Sequence, residues 1–314
     1  MVAIRVAIGL AISVVALWLA LRSIDLDRTL AILGRAAPVG IAVVLMLVAL
    51  DVALRALRWG RLIAPVRPVA WQRMLAYMLI GYLANNVLPA RLGEFVRSHY
   101  LGDREGISRA AALGTVVVER VVDIACVVVI GAAALLAIHG SPSLVRGLII
   151  SAVIVVLLIG AIVVLLHGHR LPGAERAIAG IDHWPAVGRL VRSLRAGVRV
   201  VQRPSTLLAA TGLTTVAWLA SGFMFVAAAA AVDVPLPLIE AAILSSAIAL
   251  ATAIPAGPGY VGTFELAGVT VGGALGLTAD QALAIVLLVH AAILSVTTVG
   301  GLIALAQVRQ WRGR

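Results

Sequence analysis

The sequence has few charged residues, no lysine and a single cysteine. Charged residues make up 12% of its 314 residues, against roughly 25% in a soluble domain. Hydrophobic residues make up 62%, and the mean hydropathy is +1.10. Cys126 lies alone in an apolar run, which excludes a disulfide framework or a cysteine metal cluster within the chain. This composition is typical of an integral membrane protein.

The sequence also lacks the motifs of common catalytic and cofactor sites. It has no metal-ligand cluster, no glycine-rich nucleotide loop and no Ser/His/Asp set. We therefore expect no cofactor, no metal and no catalytic residue. A membrane transferase that uses Glu94, Glu119 or Asp123 as acid or base is a weaker alternative. Without a soluble domain, no nucleic-acid partner is expected.

Long apolar runs are what the sequence has instead. About 20 apolar residues cross a bilayer core of about 30 Å, and such runs lie at about 6–21, 38–56, 110–138, 146–167, 206–231 and 281–306. The first is interpreted as an uncleaved helix, since no clear signal cleavage site follows it. The stretches 74–90 and 239–277 are interrupted by Pro and Gly. The pattern predicts an all-α polytopic membrane protein with about six spanning helices and two broken or re-entrant regions.

Arginine placement predicts the orientation. Arg58, Arg61, Arg67 and Arg73 follow the second helix without an acid, and segment 168–205 holds seven arginines against two acids. Positive loops mark the cytoplasmic side, so both segments are predicted to be cytoplasmic, as are the N- and C-termini. An even number of crossings must separate the two segments. The runs 110–138 and 146–167 already supply two crossings, so stretch 74–90 is predicted to enter and leave on one side of a bacterial inner (plasma) membrane. The alternative is that it pairs with a further break in the long 110–138 run.

Two similar motifs suggest an internal repeat. VLPARLGEF (87–95) and AIPAGPGYVGTFE (253–265) align Pro89 with Pro255 at an offset of 166 residues. The charge pattern gives the two halves opposite directions, as in inverted-topology repeats. We predict one transmembrane domain, 1–314, with a first helix and outer loop (1–37), repeat one (38–138), a connecting helix and basic segment (139–205) and repeat two (206–314). Chance similarity of short Pro/Gly motifs is the alternative.

The first break carries its own polar groups. Pro89 removes a backbone donor and should end a helix near Leu88, and Gly93 permits a tight reversal. Asn85 and Asn86 can bond the backbone groups that the break frees.

Three charged residues follow this break at a spacing of three. Arg91, Glu94 and Arg97 would share one face of a helix starting near Ala90. Arginine forks and a helix N-terminus suit a phosphate, so these residues and the two asparagines are predicted to bind a lipid headgroup. The alternative is a solvated turn whose arginines only set topology.

VVVERVVDIAC (116–126) places Glu119, Arg120 and Asp123 within an apolar run. Each charge costs about 2.5 to 3.5 kcal/mol at the centre of an inserting helix. The three must face the protein interior or lie near the interface. Intramembrane charges are functional candidates, and we predict substrate binding for all three.

The second break is rich in Pro and Gly and is followed by an acid. Glu265 is predicted as a proton-linked or headgroup-binding carboxylate, whereas His290 and the Asp51/Arg55 pair are predicted to be structural. The alternative for the glycines is close helix packing. The predicted helix-break residues, with Pro89 and Gly93, are Pro255, Gly257, Pro258, Gly259 and Gly262.

A basic amphipathic segment precedes repeat two. Arg189, Arg192, Arg195 and Arg199 recur at helical spacing with apolar residues between them. The pattern predicts an interfacial helix on an anionic membrane surface.

Three motifs together resemble a known family. They are N-x-x-L-P-x-R-x-G-E-x-x-R starting at Asn85 or Asn86, E-R-x-x-D at 119–123, and P-x-G-x-G-x-x-G-x-x-E at 255–265. The chain resembles the lysylphosphatidylglycerol synthase transmembrane region, or flippase-like, family, which includes the membrane half of the multiple peptide resistance factor. The resemblance implies a helical domain that handles phospholipids, aminoacyl-phospholipids or polyprenyl-linked headgroups. The printed sequence ends at Arg314 with no soluble synthase domain, so synthase activity is not expected.

These observations favour a membrane lipid translocator whose buried charges neutralise a headgroup while its tails stay in the bilayer. The main alternative is a non-catalytic membrane partner of a glycosyl- or aminoacyl-transferase, docked through the basic segment. The expected partners are membrane lipids with anionic or phosphate headgroups, and a transferase under the alternative.

Overall fold

The computed structural model describes residues 2–22, 24–89, 91–138, 142–167, 185–252 and 256–311. Within these ranges the chain forms twelve α-helices, two short 3-10 helices (Arg199–Gln202 and Pro258–Tyr260) and no strands. The α-helices are α1 (Val2–Leu21), α2 (Leu26–Gly34), α3 (Pro38–Ile63), α4 (Trp71–Val87), α5 (Gly93–Glu105), α6 (Arg109–Ile138), α7 (Pro142–His167), α8 (Pro185–Val198), α9 (Pro204–Ala231), α10 (Leu238–Ala251), α11 (Thr263–Ala274) and α12 (Ala279–Gln310).

Five helices are long and apolar enough to cross a membrane: α3, α6, α7, α9 and α12. A sixth candidate is the pair Gly9–Leu21 and Leu26–Gly34, which bends by 85°. The all-α polytopic architecture predicted from the sequence is confirmed.

Helix α3 continues to Ile63 and so extends past its predicted end. Arg58 therefore lies within a helix, and it is buried with 1% of its surface exposed. Its assignment to a cytoplasmic loop was wrong, because carboxylates of another helix neutralise it inside the protein.

Helices α4 and α5 form an antiparallel hairpin around the first break. Tyr77, early in α4, donates a 2.6 Å hydrogen bond to Glu105 at the end of α5. Nearer the tip, the Asn85 side chain accepts the Gly93 N–H at 2.7 Å. Helices α10 and α11 likewise flank the second break and pack against each other.

Helices α3 and α9 cross the centre of the molecule side by side in opposite directions. The Ala37 N–H donates to the Ala231 carbonyl at 2.8 Å at one end, and Arg58 donates to Thr214 at 3.0 Å near the other. Six other helices pack in two matching sets. In the first half α4 packs on α12 and α5 packs on α6, and in the second half α10 packs on α6 and α11 packs on α12.

Helix α8 packs across the N-terminal part of α6 at two glycines. A Cβ on Gly114 would lie 2.4 Å from the Leu194 carbonyl oxygen, and one on Gly197 would lie 2.1 Å from that of Ala111. Only residues without side chains allow this approach of the two backbones. The basic segment is thus packed against the core along one side.

Candidate functional site: a charged cavity between two hairpins

A cavity of about 240 Å³ lies where the two hairpin tips meet the central helices. Its wall combines charged and amide groups from the first half with aromatic and small polar groups from the second. Small-molecule sites usually have volumes of roughly 300 Å³ or more. This cavity is therefore smaller than a typical site for a drug-sized ligand.

The first hairpin tip presents Arg91 to the cavity. Helix α4 ends at Val87, within one residue of the prediction, whereas α5 begins at Gly93 rather than near Ala90. Arg91 consequently lies in the turn and adopts a left-handed backbone with φ of 55°. The predicted shared helical face of Arg91, Glu94 and Arg97 is corrected, since only the last two lie on α5.

The asparagines connect this tip to its neighbours in different ways. Asn85 accepts the Gly93 N–H, the role predicted from the sequence. Asn86 instead donates to the hydroxyls of Thr297 and Thr298 on α12, at 2.8 and 3.0 Å. The tip is thereby anchored to the second half of the molecule.

The second hairpin tip is held by Glu265 and His290. Glu265 accepts the Gly262 N–H at 2.6 Å and contacts His290 Nδ1 at 2.5 Å. His290 Nε2 donates to the Gly259 carbonyl at 2.7 Å. Because a carbonyl only accepts, Nε2 carries the hydrogen in this contact. The Phe264 ring stacks on the imidazole at 4.2 Å.

The two tips meet through a cation–π contact. The Arg91 guanidinium carbon lies 5.2 Å from the centroid of the Tyr260 ring. Tyr260 also has a left-handed backbone, with φ of 61°. Non-glycine residues rarely adopt this conformation, and it concentrates at functional sites.

A cluster of buried ion pairs forms one side of the cavity. Glu119 on α6 is 1% exposed and contacts Arg58 at 3.1 Å, Arg97 at 2.8 Å and Arg120 at a shorter distance. Asp123, one turn further, also pairs with Arg58 and lies 3.1 Å from Arg120. Of the two placements predicted for these α6 charges, the protein interior is the observed one.

A second arm of the cluster reaches α3 and α9. Arg55 donates to Asp51 at 2.7 Å and lies 3.5 Å from Asp123. Its guanidinium stacks on Trp218 at 4.6 Å, and the Trp218 indole donates to Asp123 at 3.3 Å. The predicted Asp51/Arg55 pair is confirmed, and both residues line the cavity.

Two charged groups at the first tip have unsatisfied polar atoms. Arg91 Nε and Glu94 Oε2 are buried and have no hydrogen-bond partner among the described residues. Neither side chain has an ion-pair partner in the same part of the chain, unlike the arginines of the cluster. A buried polar atom without a hydrogen bond is costly, so these two atoms have capacity for one further hydrogen bond each.

Most of the predicted substrate-binding residues come together at this cavity. Glu119 and Glu265 do not line the cavity themselves. Glu119 pairs with Arg97 and Arg120, Glu265 contacts His290, and these three partners line the cavity. The predicted residues that line the cavity directly are Asn85, Asn86, Arg91, Glu94, Arg97, Arg120 and Asp123.

The predicted helix-break residues lie at the two tips. Gly93 and Gly259 line the cavity, and Gly257, Pro258 and Gly262 form the described part of the second break. Pro89 directly follows α4, and Pro255 lies outside the described residues.

The predicted membrane-surface arginines lie away from the cavity. Arg192 and Arg195 lie on α8, which ends at Val198, so Arg199 starts the following 3-10 helix instead of continuing the same face. The side chain of Arg189 lies outside the described residues.

Sequence reasoning missed Arg58 and Tyr260. Asp51, Arg55 and Arg58 recur at the spacing of one helical face, which could have assigned Arg58 to the interior. Tyr260 had a weaker signal, as the only aromatic residue within a run of Pro and Gly.

Comparison with known proteins identifies the family. Residues 6–301 match the family model of the lysylphosphatidylglycerol synthase TM region. The chain belongs to this family. The family assignment predicted from the three motifs is confirmed.

A curated relative of this chain is the glycosyltransferase AglD of Haloferax volcanii. The two are 26% identical over 336 residues, which cover 95% of this chain and 53% of AglD. The chain thus spans about half the length of the curated relative that it matches. No solved structure matches the chain.

Proposed function

We propose that this protein translocates membrane lipids with phosphate-bearing headgroups, and that the cavity between the two hairpins holds the headgroup. The observation that carries the proposal is the charge of the cavity and its adjoining cluster, where five arginines oppose four carboxylates. The arginines are Arg55, Arg58, Arg91, Arg97 and Arg120, and the carboxylates are Asp51, Glu94, Glu119 and Asp123.

Arg91 is the arginine of this set that has no ion-pair partner among the described residues. The other four arginines contact carboxylates, whereas Arg91 contacts only an aromatic ring among the described residues. An uncompensated guanidinium in a partly dehydrated cavity favours an anion, and its fork suits phosphate oxygens. A phospholipid, aminoacyl-phospholipid or polyprenyl-linked headgroup supplies one.

Glu94 adds a second recognition group in this proposal. Its buried Oε2 can accept a hydrogen bond that the described part of the chain does not provide. A headgroup hydroxyl or ammonium beside the phosphate would supply the donor. The hydrocarbon tails would remain in the bilayer outside the cavity.

Translocation also needs access from both leaflets, and we propose that inverted repeats provide it. Helix α3 begins at Pro38 and α9 at Pro204, an offset of 166 residues. The antiparallel crossing of these helices and the matched packing of the remaining helices support a two-fold axis in the membrane plane. Two re-entrant hairpins would then approach the site from opposite sides.

We further propose a bacterial inner-membrane location with both termini in the cytoplasm. Arg61 in the last turn of α3, Arg67 in the loop after it and the arginine-rich segment before α9 support this orientation. The basic residues of α8 and of the following 3-10 helix would face anionic headgroups at the inner surface.

The second candidate function is a non-catalytic membrane partner of a transferase. The match to about half of a protein named as a glycosyltransferase favours it, because such a region can anchor a transferase and present its lipid substrate. Under this alternative, substitutions in segment 168–205 would abolish function while substitutions in the cavity would not.

The test is leaflet exchange of fluorescent lipids in proteoliposomes. The purified chain is reconstituted with a labelled anionic phospholipid, aminoacyl-lipid or polyprenyl phosphate. Arg91→Ala should slow exchange roughly ten- to a hundredfold, since a charged hydrogen bond contributes about 1.5 to 3 kcal/mol. Arg28→Ala removes an arginine with 76% of its side chain exposed and should exchange lipid at the wild-type rate.

Equal rates for wild type, Arg91→Ala and protein-free vesicles would contradict translocation by the purified chain. Formation of product from a lipid-linked donor would instead favour a membrane transferase. Binding of a transferase through segment 168–205, without lipid exchange, would favour the partner function.

A further inference from the structure

The two helix breaks differ in how they are covered. Helix α1 lies directly on the described part of the second break, where the Ser13 hydroxyl accepts the Gly257 N–H at 2.9 Å. A Cβ on Gly262 would lie 2.2 Å from the Ser13 carbonyl oxygen, and one on Gly9 would lie 3.1 Å from that of Ala256. Ala256 is only 1% exposed. Helix α1 therefore covers Ala256, Gly257 and Gly262 of the second break, while Val261 remains 40% exposed.

The first break is open on the equivalent side. Four apolar side chains surround it and remain exposed: Val87 at 63%, Leu88 at 38%, Leu92 at 37% and Phe95 at 59%. We refer to these four residues as the first-break collar. Irregular backbone at membrane depth persists only where protein or a polar cavity covers it. The collar therefore marks a place that a further molecule completes.

The charged residues next to the collar indicate what that molecule is. Arg91 lies between Leu88 and Leu92 in sequence, and its guanidinium faces Tyr260 across the cavity. Glu94, beside Phe95, contributes the unpartnered carboxylate oxygen. An apolar rim thus leads to a guanidinium that has no ion-pair partner among the described residues, which is the distribution that a phosphate-bearing lipid complements. A second copy or an apolar partner helix would cover the rim but would leave Arg91 without an anion.

We propose that the first-break collar is the lateral entrance through which a phospholipid reaches the cavity. Its hydrocarbon chains pack on Leu92 and Phe95 while its phosphate binds Arg91. This inference rests on the proposed lipid function, and it assigns the entrance to the first hairpin, since α1 packs on the described part of the second break.

Site-specific photo-crosslinking tests the entrance. A photoreactive amino acid replaces Leu92 or Phe95 in the full chain, and the purified protein is reconstituted with equal amounts of phosphatidylglycerol and a phosphate-free galactosyl-diacylglycerol. The matched control positions are Val129 and Leu136 on α6, which are 66% and 80% exposed. The ratio of phospholipid to glycolipid adducts is measured by mass spectrometry.

At the collar, phospholipid adducts should exceed glycolipid adducts roughly tenfold, as one charged hydrogen bond implies. At the control positions the two adducts should form about equally. Adding Arg91→Ala should reduce the adduct ratio at the collar to the control value. A lipid that binds only through its tails would give the same adduct ratio with and without this change.

Equal ratios at the collar and the control positions would overturn the entrance, as would crosslinked dimers, which would assign the collar to an interface between copies. Leaflet exchange measured on the same preparations separates the two proposals. Exchange without collar enrichment would leave translocation standing and place the entrance elsewhere. Enrichment without exchange would support the collar as a lipid-binding surface and contradict translocation.

Discussion

Single residues in this protein separate into structural charges and charges available to a ligand. Glu119 contacts three guanidinium groups and is almost fully buried, so its charge is already used within the protein. Arg91 has no such partner among the described residues. The distinction depends on the number of opposite charges nearby, because a buried charge is tolerated only when it is neutralised.

Glu119→Gln should destabilise the fold. The change leaves Arg97 without an ion-pair partner among the described residues, and it leaves Arg58 and Arg120 with Asp123 as their shared carboxylate. Removing one partner of a buried ion pair costs about 3 to 5 kcal/mol. Thermal unfolding in detergent, followed by the loss of monodisperse protein, should show a clearly lower midpoint.

The control for this variant is Asp27→Asn, which removes an exposed carboxylate from the first turn of α2. Its cost should be about 1 kcal/mol or less. If both variants unfold at the wild-type temperature, Glu119 does not hold the cluster together.

At the scale of elements, the first hairpin depends on a close backbone approach. A Cβ on Gly93 would lie 2.0 Å from the Gly81 carbonyl oxygen and 2.5 Å from the Asn85 side-chain oxygen. Gly93 is therefore required for the contact between α4 and α5 and for the hydrogen bond that ends the turn. The second hairpin uses a different device, in which Glu265 and His290 hold Gly262 and Gly259.

Gly93→Ala should open or distort the first hairpin. The overlap with α4 should cost about 1 to 3 kcal/mol or more, and it should also lower lipid exchange, since Arg91 and Glu94 flank this glycine. Unfolding and exchange are measured on the same preparation.

The matched control is Gly160→Ala on α7, where a Cβ would have no neighbour within 4 Å. This change should be neutral or stabilise the helix by about 0.5 to 1 kcal/mol. Equal effects of the two alanines would show that hairpin packing at Gly93 is not specific.

At the scale of the whole molecule, the proposed inverted repeats place equivalent loops on opposite sides of the membrane. Val66 lies in the loop between α3 and α4, and Pro235 lies in the loop between α9 and α10. Both side chains are exposed. Under the proposal the first loop is cytoplasmic and the second is external.

Cysteine accessibility tests this arrangement. In a Cys126→Ala background, Pro235→Cys should react with a membrane-impermeant maleimide in intact cells. Val66→Cys should react only after the cells are permeabilised. Labelling of both thiols from one side would contradict the inverted topology. The wild-type chain, whose Cys126 is buried, serves as the control that should not be labelled in intact cells.

The sequence by itself determined the membrane class, the five long spanning helices and the positions of both breaks. The length of an apolar run and its interruption by Pro or Gly are local features of the sequence. The free energy of inserting a helix into the membrane, and the free-energy cost of breaking that helix, depend mainly on nearby residues. The same reasoning found the charged residues that line the cavity, because ionisable side chains in apolar runs are rare and stand out.

Only the tertiary structure decided which charges neutralise each other. Arg58 was placed in a loop, yet it pairs with Asp123, 65 positions later in the chain. Arg91 and Tyr260 meet across the two halves although 169 positions separate their numbers. Such pairings depend on how distant helices pack. Local sequence can therefore show that a charge is buried, but only the packed helices show whether it has a partner or is available to a ligand.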